Sequence, residues 1–103
     1  MYGGYGSANF GSKSLAYVRE KDQPLDTVSC LIWDPYKPDP AFFATSWDGF
    51  VRYYMVKQSN GGNIEVEKVW EMFLQQPVLC CDLNDSNILF AGLATGDIAA
   101  IRL

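Results

Sequence analysis

The side chains best suited to chemistry in this chain are three thiols, Cys30, Cys80 and Cys81, and a hydroxyl, a carboxylate and a guanidinium at Ser46, Asp48 and Arg52. A thiolate attacks carbon or binds soft metals, but either role leans on a neighbouring base or on a spaced set of ligands. The 103 residues include no histidine. That removes the commonest general base, the commonest metal ligand and every Ser-His or Cys-His nucleophile pair. The cysteines are odd in number without metal-ligand spacing, and the adjacent Cys80 and Cys81 would point to opposite faces of any strand. They are expected to be reduced, buried small hydrophobes in an intracellular protein. With no Gly-rich phosphate loop after a strand and no clustered carboxylates, the expectation is a non-enzymatic chain with no catalytic residue, cofactor or metal.

Eight basic and twelve acidic side chains leave a formal charge of −4, the wrong sign for neutralising phosphates. Any RNA association is therefore expected to be indirect or to need residues outside this segment. The length suits one modest domain. No window reaches the roughly 18 consecutive apolar residues of a membrane-spanning helix, and the start lacks a charged region followed by an apolar one, so neither membrane insertion nor a secretory signal is expected.

The elements that must position these groups read as strands. Residues 1–13 mix glycine, serine and the isolated aromatics Tyr2, Tyr5 and Phe10 without periodicity, and are expected to form a flexible tail. From residue 14 the pattern is short β-branched and aromatic runs with turn punctuation: 27–33, 41–47, 50–56 and 64–70. Asp34-Pro35, Pro38 and Pro40 stop the first run, and Asp48-Gly49 predicts a tight hairpin between the second and third. Ile64 and Val66 alternate with Glu65 and Glu67, as on a strand with one wet face. Runs 28–33 and 78–83 are apolar on both faces, which predicts burial on two sides and a gradient falling from the first strand to the fourth. Trp33, Tyr53 and Tyr54 are expected in the core. The rhythm restarts at Pro77, about fifty residues on, with strands at 77–83, 88–94 and 98–103. The expected fold is all-β: about two antiparallel four-stranded units, a first at about 27–70 and a second, incomplete, at about 77–103.

The run Thr45-Ser46-Trp47-Asp48-Gly49-Phe50-Val51-Arg52-Tyr53-Tyr54 resembles the second and third strands of a WD repeat. Ser46, Asp48 and Tyr54 match the spacing of that family's serine, turn aspartate and tryptophan. The resemblance implies blades of a β-propeller, here an incomplete ring spanning 14–103 that forms the N-terminal portion of a larger one. It also implies a polar relay that fixes each blade. The histidine of the relay is missing, Tyr54 replaces the tryptophan and Met55 stands where the namesake aspartate would follow, so only part of the relay carries over. In the second unit Ile101-Arg102 stands where Trp-Asp would be. A strand from one end of such a chain commonly completes the blade at the other, and 14–19 is placed to be that strand.

Ser46 to Tyr54, Val28-Ser29-Cys30-Leu31 and Pro77-Val78-Leu79 are similar to the subfamily that includes the messenger-RNA export factor of the nuclear pore and the mitotic-checkpoint WD-repeat protein. The aromatic, Gly-rich leader favours the export type. What the resemblance implies is a scaffold in the nucleus, at the nuclear envelope and pore, and in the cytoplasm. Its partners would be a GLEBS-type nucleoporin peptide and ribonucleoprotein, or a checkpoint kinase if the chain is of the mitotic type. Trp47 is a candidate interface anchor or packs between blades, and Arg52 either pairs with a neighbouring acidic group or a ligand or is a solvated or inter-blade charge.

Overall fold

The computed structural model describes residues 6–10, 13–58 and 61–103, with side-chain surroundings from residue 13 onward. β-Branched and aromatic runs form strands where a pleated, half-buried surface suits them. In chain order these are β1 (Gly6–Phe10), β2 (Lys13–Tyr17), β3 (Val28–Trp33), β4 (Ala41–Ser46), β5 (Phe50–Gln58), β6 (Ile64–Phe73), β7 (Val78–Leu83), β8 (Ile88–Leu93) and β9 (Ile98–Arg102). Helical structure among the described residues is one 3-10 turn, Glu20–Asp22. The fold is all-β. A four-stranded antiparallel sheet has the order β3-β4-β5-β6, and a three-stranded one the order β7-β8-β9. β6 runs three residues past the expected end of the first unit.

The two sheets are built by one pattern of pairing. Each opens with a register shift at the same place, between Val28 and Cys30 in β3 and between Val78 and Cys80 in β7. Val28 opposes Ser46 and Val78 opposes Leu93; Thr45 opposes Val51 and Gly92 opposes Ile98. First strands are thus fifty residues apart, second and third strands forty-seven. The difference lies in the loops, 34–40 in one unit and the shorter 84–87 in the other. Bonds outside the ladders repeat as well. Trp47 N–H donates to Thr27 O as Ala94 does to Pro77 O, both at 3.0 Å, and Val56 N–H donates to Pro40 O (2.8 Å) as Leu103 does to Asn87 O (3.1 Å). The Asp34 carboxylate accepts from Tyr36 N–H as the Asn84 amide oxygen accepts from Ser86 N–H, both at 3.0 Å.

Asp48-Gly49 joins antiparallel partners as expected, through a three-residue loop, 47–49, rather than a two-residue one. The chain turns on a Gly49 N–H to Ser46 O bond, and Gly49 alone takes positive φ, 89°. The loop 94–96 repeats this with Gly96 at φ 92°. A turn followed by a left-handed glycine is the usual three-residue hairpin.

The sheets pack face to face, with β7 against β3 and β4. Ala41, Phe43, Val51 and Tyr53 from the first sheet and Leu89 and Ile101 from the second form the core between them, joined by Ile32, Trp70, Leu74, Cys81 and Leu83. The Tyr53 ring lies 4.6 Å from Phe43 and 5.6 Å from Trp70, centroid to centroid.

Several expectations need correction. Burial does not fall from the first strand outward: it peaks in β4 and β5, because β3 has a hydrogen-bonded neighbour on one side only. Val28, Leu31 and Trp33 are exposed, so Trp33 is not a core residue; Tyr53 and Tyr54 are. Cys30 and Cys81 are half-buried free thiols, while Cys80 is free and exposed rather than buried. The second unit has three strands, at the places expected for them. Part of the leader expected to be flexible is a strand: β1 pairs antiparallel with β2, Gly6 opposite Tyr17, since its small residues flatten into an extended ladder. Residues 1–5 and 11–12 of that leader lie outside the described residues. β2, which overlaps 14–19, pairs with β1 and packs against β6.

Candidate functional site

The three-residue loop sets the register that puts Arg52 opposite Ala44 on β4, one step from Ser46 on the same face, and the β5–β6 pairing, with its register shift between Tyr53 and Tyr54, puts it opposite Glu71. Ala44 is small enough to leave room for the guanidinium. Arg52 Nη1 lies 2.9 Å from Asp48 Oδ2 and 3.2 Å from Ser46 Oγ, and its Nε lies 3.4 Å from Glu71 Oε1. Its guanidinium carbon sits 4.6 Å from the Phe50 ring centroid. The Arg52 side chain is 4% exposed and that of Asp48 9%. A charge so placed is held by its partners, not by water.

Asp48 is the hub. Its Oδ1 accepts from the Ser46 hydroxyl and from Phe50 N–H (3.1 Å), and its Oδ2 accepts from Leu25 N–H (3.0 Å) as well as from Arg52. Burial pushes its carboxyl pKa up, but the bonds from Ser46, Leu25, Phe50 and Arg52 outweigh it and hold the group below the ordinary value of 3.8. Glu71 passes the chain of charge on to Lys68, 2.8 Å away, and the Lys68 ammonium stands 3.9 Å from Asp22. Tyr54 does not reach Ser46. Its hydroxyl donates to Asp22 O at 2.6 Å, and burial foremost raises its pKa to about 12. No buried side-chain nitrogen or oxygen among the described residues lacks a partner. A site whose polar atoms are all spoken for holds shape.

Ser46 and Asp48 are thus brought together, with Arg52 between them where it is closed to solvent and unavailable as a surface contact. Pairing of Arg52 with an acidic group is one of the expected alternatives, but its place between Ser46 and Asp48 was not foreseen, nor was Glu71. The hairpin length places Arg52 beside Ser46 and Asp48, while its opposition to Glu71 depends on the shift of the β5–β6 register between Tyr53 and Tyr54. Among the described residues no group of three or more histidines, cysteines or carboxylates could hold a metal. Burial foremost, then the Cys30 contact, raises the Cys81 thiol pKa to about 12, far from a reactive thiolate.

Over this anchor lies an apolar rim. Trp47 is exposed at the hairpin tip, Leu25 is exposed on the segment whose N–H holds Asp48, and Phe73 is exposed with its ring 4.9 Å from Phe50. The rim is aromatic and aliphatic, mounted on backbone that the Asp48 bonds immobilise. Comparison with protein-family models, with curated proteins and with solved structures finds no match.

Proposed function

We propose that the chain carries WD-repeat blades of a β-propeller and serves as a non-enzymatic protein-binding scaffold of the messenger-RNA export type, working at the nuclear pore. The observation that carries the reading is the exposed rim of Leu25, Trp47 and Phe73 above a buried, fully bonded Ser46–Asp48–Arg52 cluster. A rigid platform with an exposed tryptophan is what a peptide-docking surface needs, because little side-chain entropy is left to lose on binding. The pairing pattern repeated from one sheet to the next supports the propeller reading, and the Ser46 to Tyr54 run supports the family.

The ligand on this reading is a GLEBS-type nucleoporin segment, with ribonucleoprotein association following through it. Titration calorimetry of the chain with such a peptide is expected to show binding that Trp47→Ala weakens at least about tenfold, the scale of a hot-spot truncation. The melting curve should not move, since Trp47 is exposed. Absence of binding by the unaltered chain would overturn the export reading. Recovery of a checkpoint kinase in place of the nucleoporin would move the assignment to the mitotic type.

A further inference from the structure

The joint between the two sheets is not symmetric. The first sheet contributes the face that bears Ile32, Phe43, Val51 and Tyr53; the second contributes the opposite face, bearing Cys81, Leu83, Leu89 and Ile101. Repeated register makes the positions comparable one by one. On the first sheet the counterparts of Cys81, Leu83 and Leu89 are Leu31, Trp33 and Phe42, and on the second sheet the counterparts of Phe43 and Val51 are Phe90 and Ile98. Each sheet therefore turns one type of face to the joint; the other is exposed on the second sheet at Phe90 and Ile98, and on the first only at Leu31 and Trp33 of β3, since Ala44, Arg52 and Tyr54 on that face are buried.

Exposure measures what is left over. Val51 is 0% exposed and its counterpart Ile98 76%; Phe43 is 1% exposed and Phe90 38%. On the other side Leu31 is 64% and Trp33 59% exposed, and with Ile32 and Phe42 they line an open groove of about 400 Å³. Segment 22–26, tied to Tyr54 and Asp48, stands fifty residues before 72–76, which lies beside the buried joint with Leu74 packed into it.

We propose that copies of this chain associate head to tail, with Phe90, Ile98 and the neighbouring Ala100 of one copy seated on Leu31, Trp33 and Phe42 of the next. The occupant follows from continuity with the joint inside the molecule: Phe90 and Ile98 stand where Phe43 and Val51 stand on the first sheet, those are covered at the joint by the face of Cys81, Leu83 and Leu89, and the counterpart of that covering face is the one with Leu31, Trp33 and Phe42. Association of this kind is heterologous, so it is not limited to two copies. The inference rests on repeated register and not on the resemblance, and it involves a different surface from the rim around Trp47.

Sedimentation velocity over a concentration series tests it, with Trp33→Glu and Ile98→Asp as variants; both positions are exposed, and circular dichroism checks their folding. Leu31→Glu and Phe90→Asp form a second pair should either of the first misfold. The unaltered chain is expected to form concentration-dependent species larger than a dimer, and each variant alone to stay monomeric. An equimolar mixture of the two variants retains one intact pair of faces and should stop at a dimer. An unaltered chain that is monomeric throughout would overturn the proposal, as would a single variant that still associates or a mixture that does not. None of these failures touches peptide binding at the rim.

Discussion

The first and second sheets solve one backbone problem with opposite chemistry. At the hairpin between the second and third strands, the first sheet places Ser46, Asp48 and Arg52, and the second places Leu93, Thr95 and Ala99 at the same pairing positions. The former make a buried ion-pair cluster with Glu71. The latter do without charge: Leu93 packs with Val78 and Ala91 and is flanked by Leu74 and Ala99, while Thr95 turns outward to share the side chains of Gln76 and Asp97. Loop length, glycine φ and flanking backbone bonds are the same in both. The polar cluster is thus one way to fill the site behind the hairpin and not a condition for forming it.

The sharpest way to break that comparison is to damage the cluster in two different ways. Asp48→Ala strands the buried Arg52 with Glu71 as its remaining carboxylate partner, and should cost about 3–5 kcal/mol, as removing one member of a buried pair does. That exceeds the roughly 1 kcal/mol of a single local hydrogen bond. Ser46→Leu, Asp48→Thr and Arg52→Ala together install the residues of the second sheet and leave no orphaned charge. The triple variant should lose less than Asp48→Ala alone in a urea unfolding midpoint, although it changes three residues. A larger loss would show that the cluster is required. The acid limb gives a second readout. Because the folded pKa of Asp48 is depressed, its contribution is present above the unfolded value near 3.8 and is lost as pH falls through the lower folded value. The triple variant lacks that loss.

The two hairpin glycines separate backbone strain from close approach. Both have positive φ, but a Cβ on Gly49 would sit 2.8 Å from Phe73 Cε1 and 3.2 Å from Gln76 O, while one on Gly96 would meet open space. Gly96→Ala should cost about 1 kcal/mol, the left-handed penalty alone. Gly49→Ala carries that same penalty and must also displace the Gln76 backbone, so its melting temperature should fall further. Equal losses would mean that the linker between the sheets does not rest on the hairpin.

Strand placement was legible because β-branched runs and turn residues are local signals; each expected strand appears within three residues of its observed ends. Solvent exposure was not legible. The apolar pattern of Val28 to Trp33 records what the strand can be buried against, whereas its exposure depends on whether a neighbour occupies that face, and no residue in the run encodes this. The Ser46 and Asp48 pair is legible from spacing, yet spacing leaves Arg52 open between an acidic partner, a ligand and a solvated or inter-blade charge. Alternation along β5 gives its face, and only the cross-strand register puts Ala44, Ser46, Asp48 and Glu71 around it. Strand pairing at Gly6–Phe10 was missed because a glycine- and serine-rich run carries no periodic signal of its own, and its ladder depends on a partner strand three to eleven residues away.

The smallest effect comes from an ion pair on the same sheet. Lys57 Nζ lies 2.8 Å from Glu67 Oε2, as close as Arg52 lies to Asp48, and the pair bridges β5 and β6. What differs is water: these side chains are more than half exposed, so solvent screens the attraction and solvates either partner left alone. Lys57→Ala should leave the thermal midpoint where it was, at low salt and at high. If it moved the midpoint as far as Asp48→Ala does, distance rather than burial would be setting the worth of charge in this sheet, and the contrast between a polar and an apolar hairpin support would lose its physical basis.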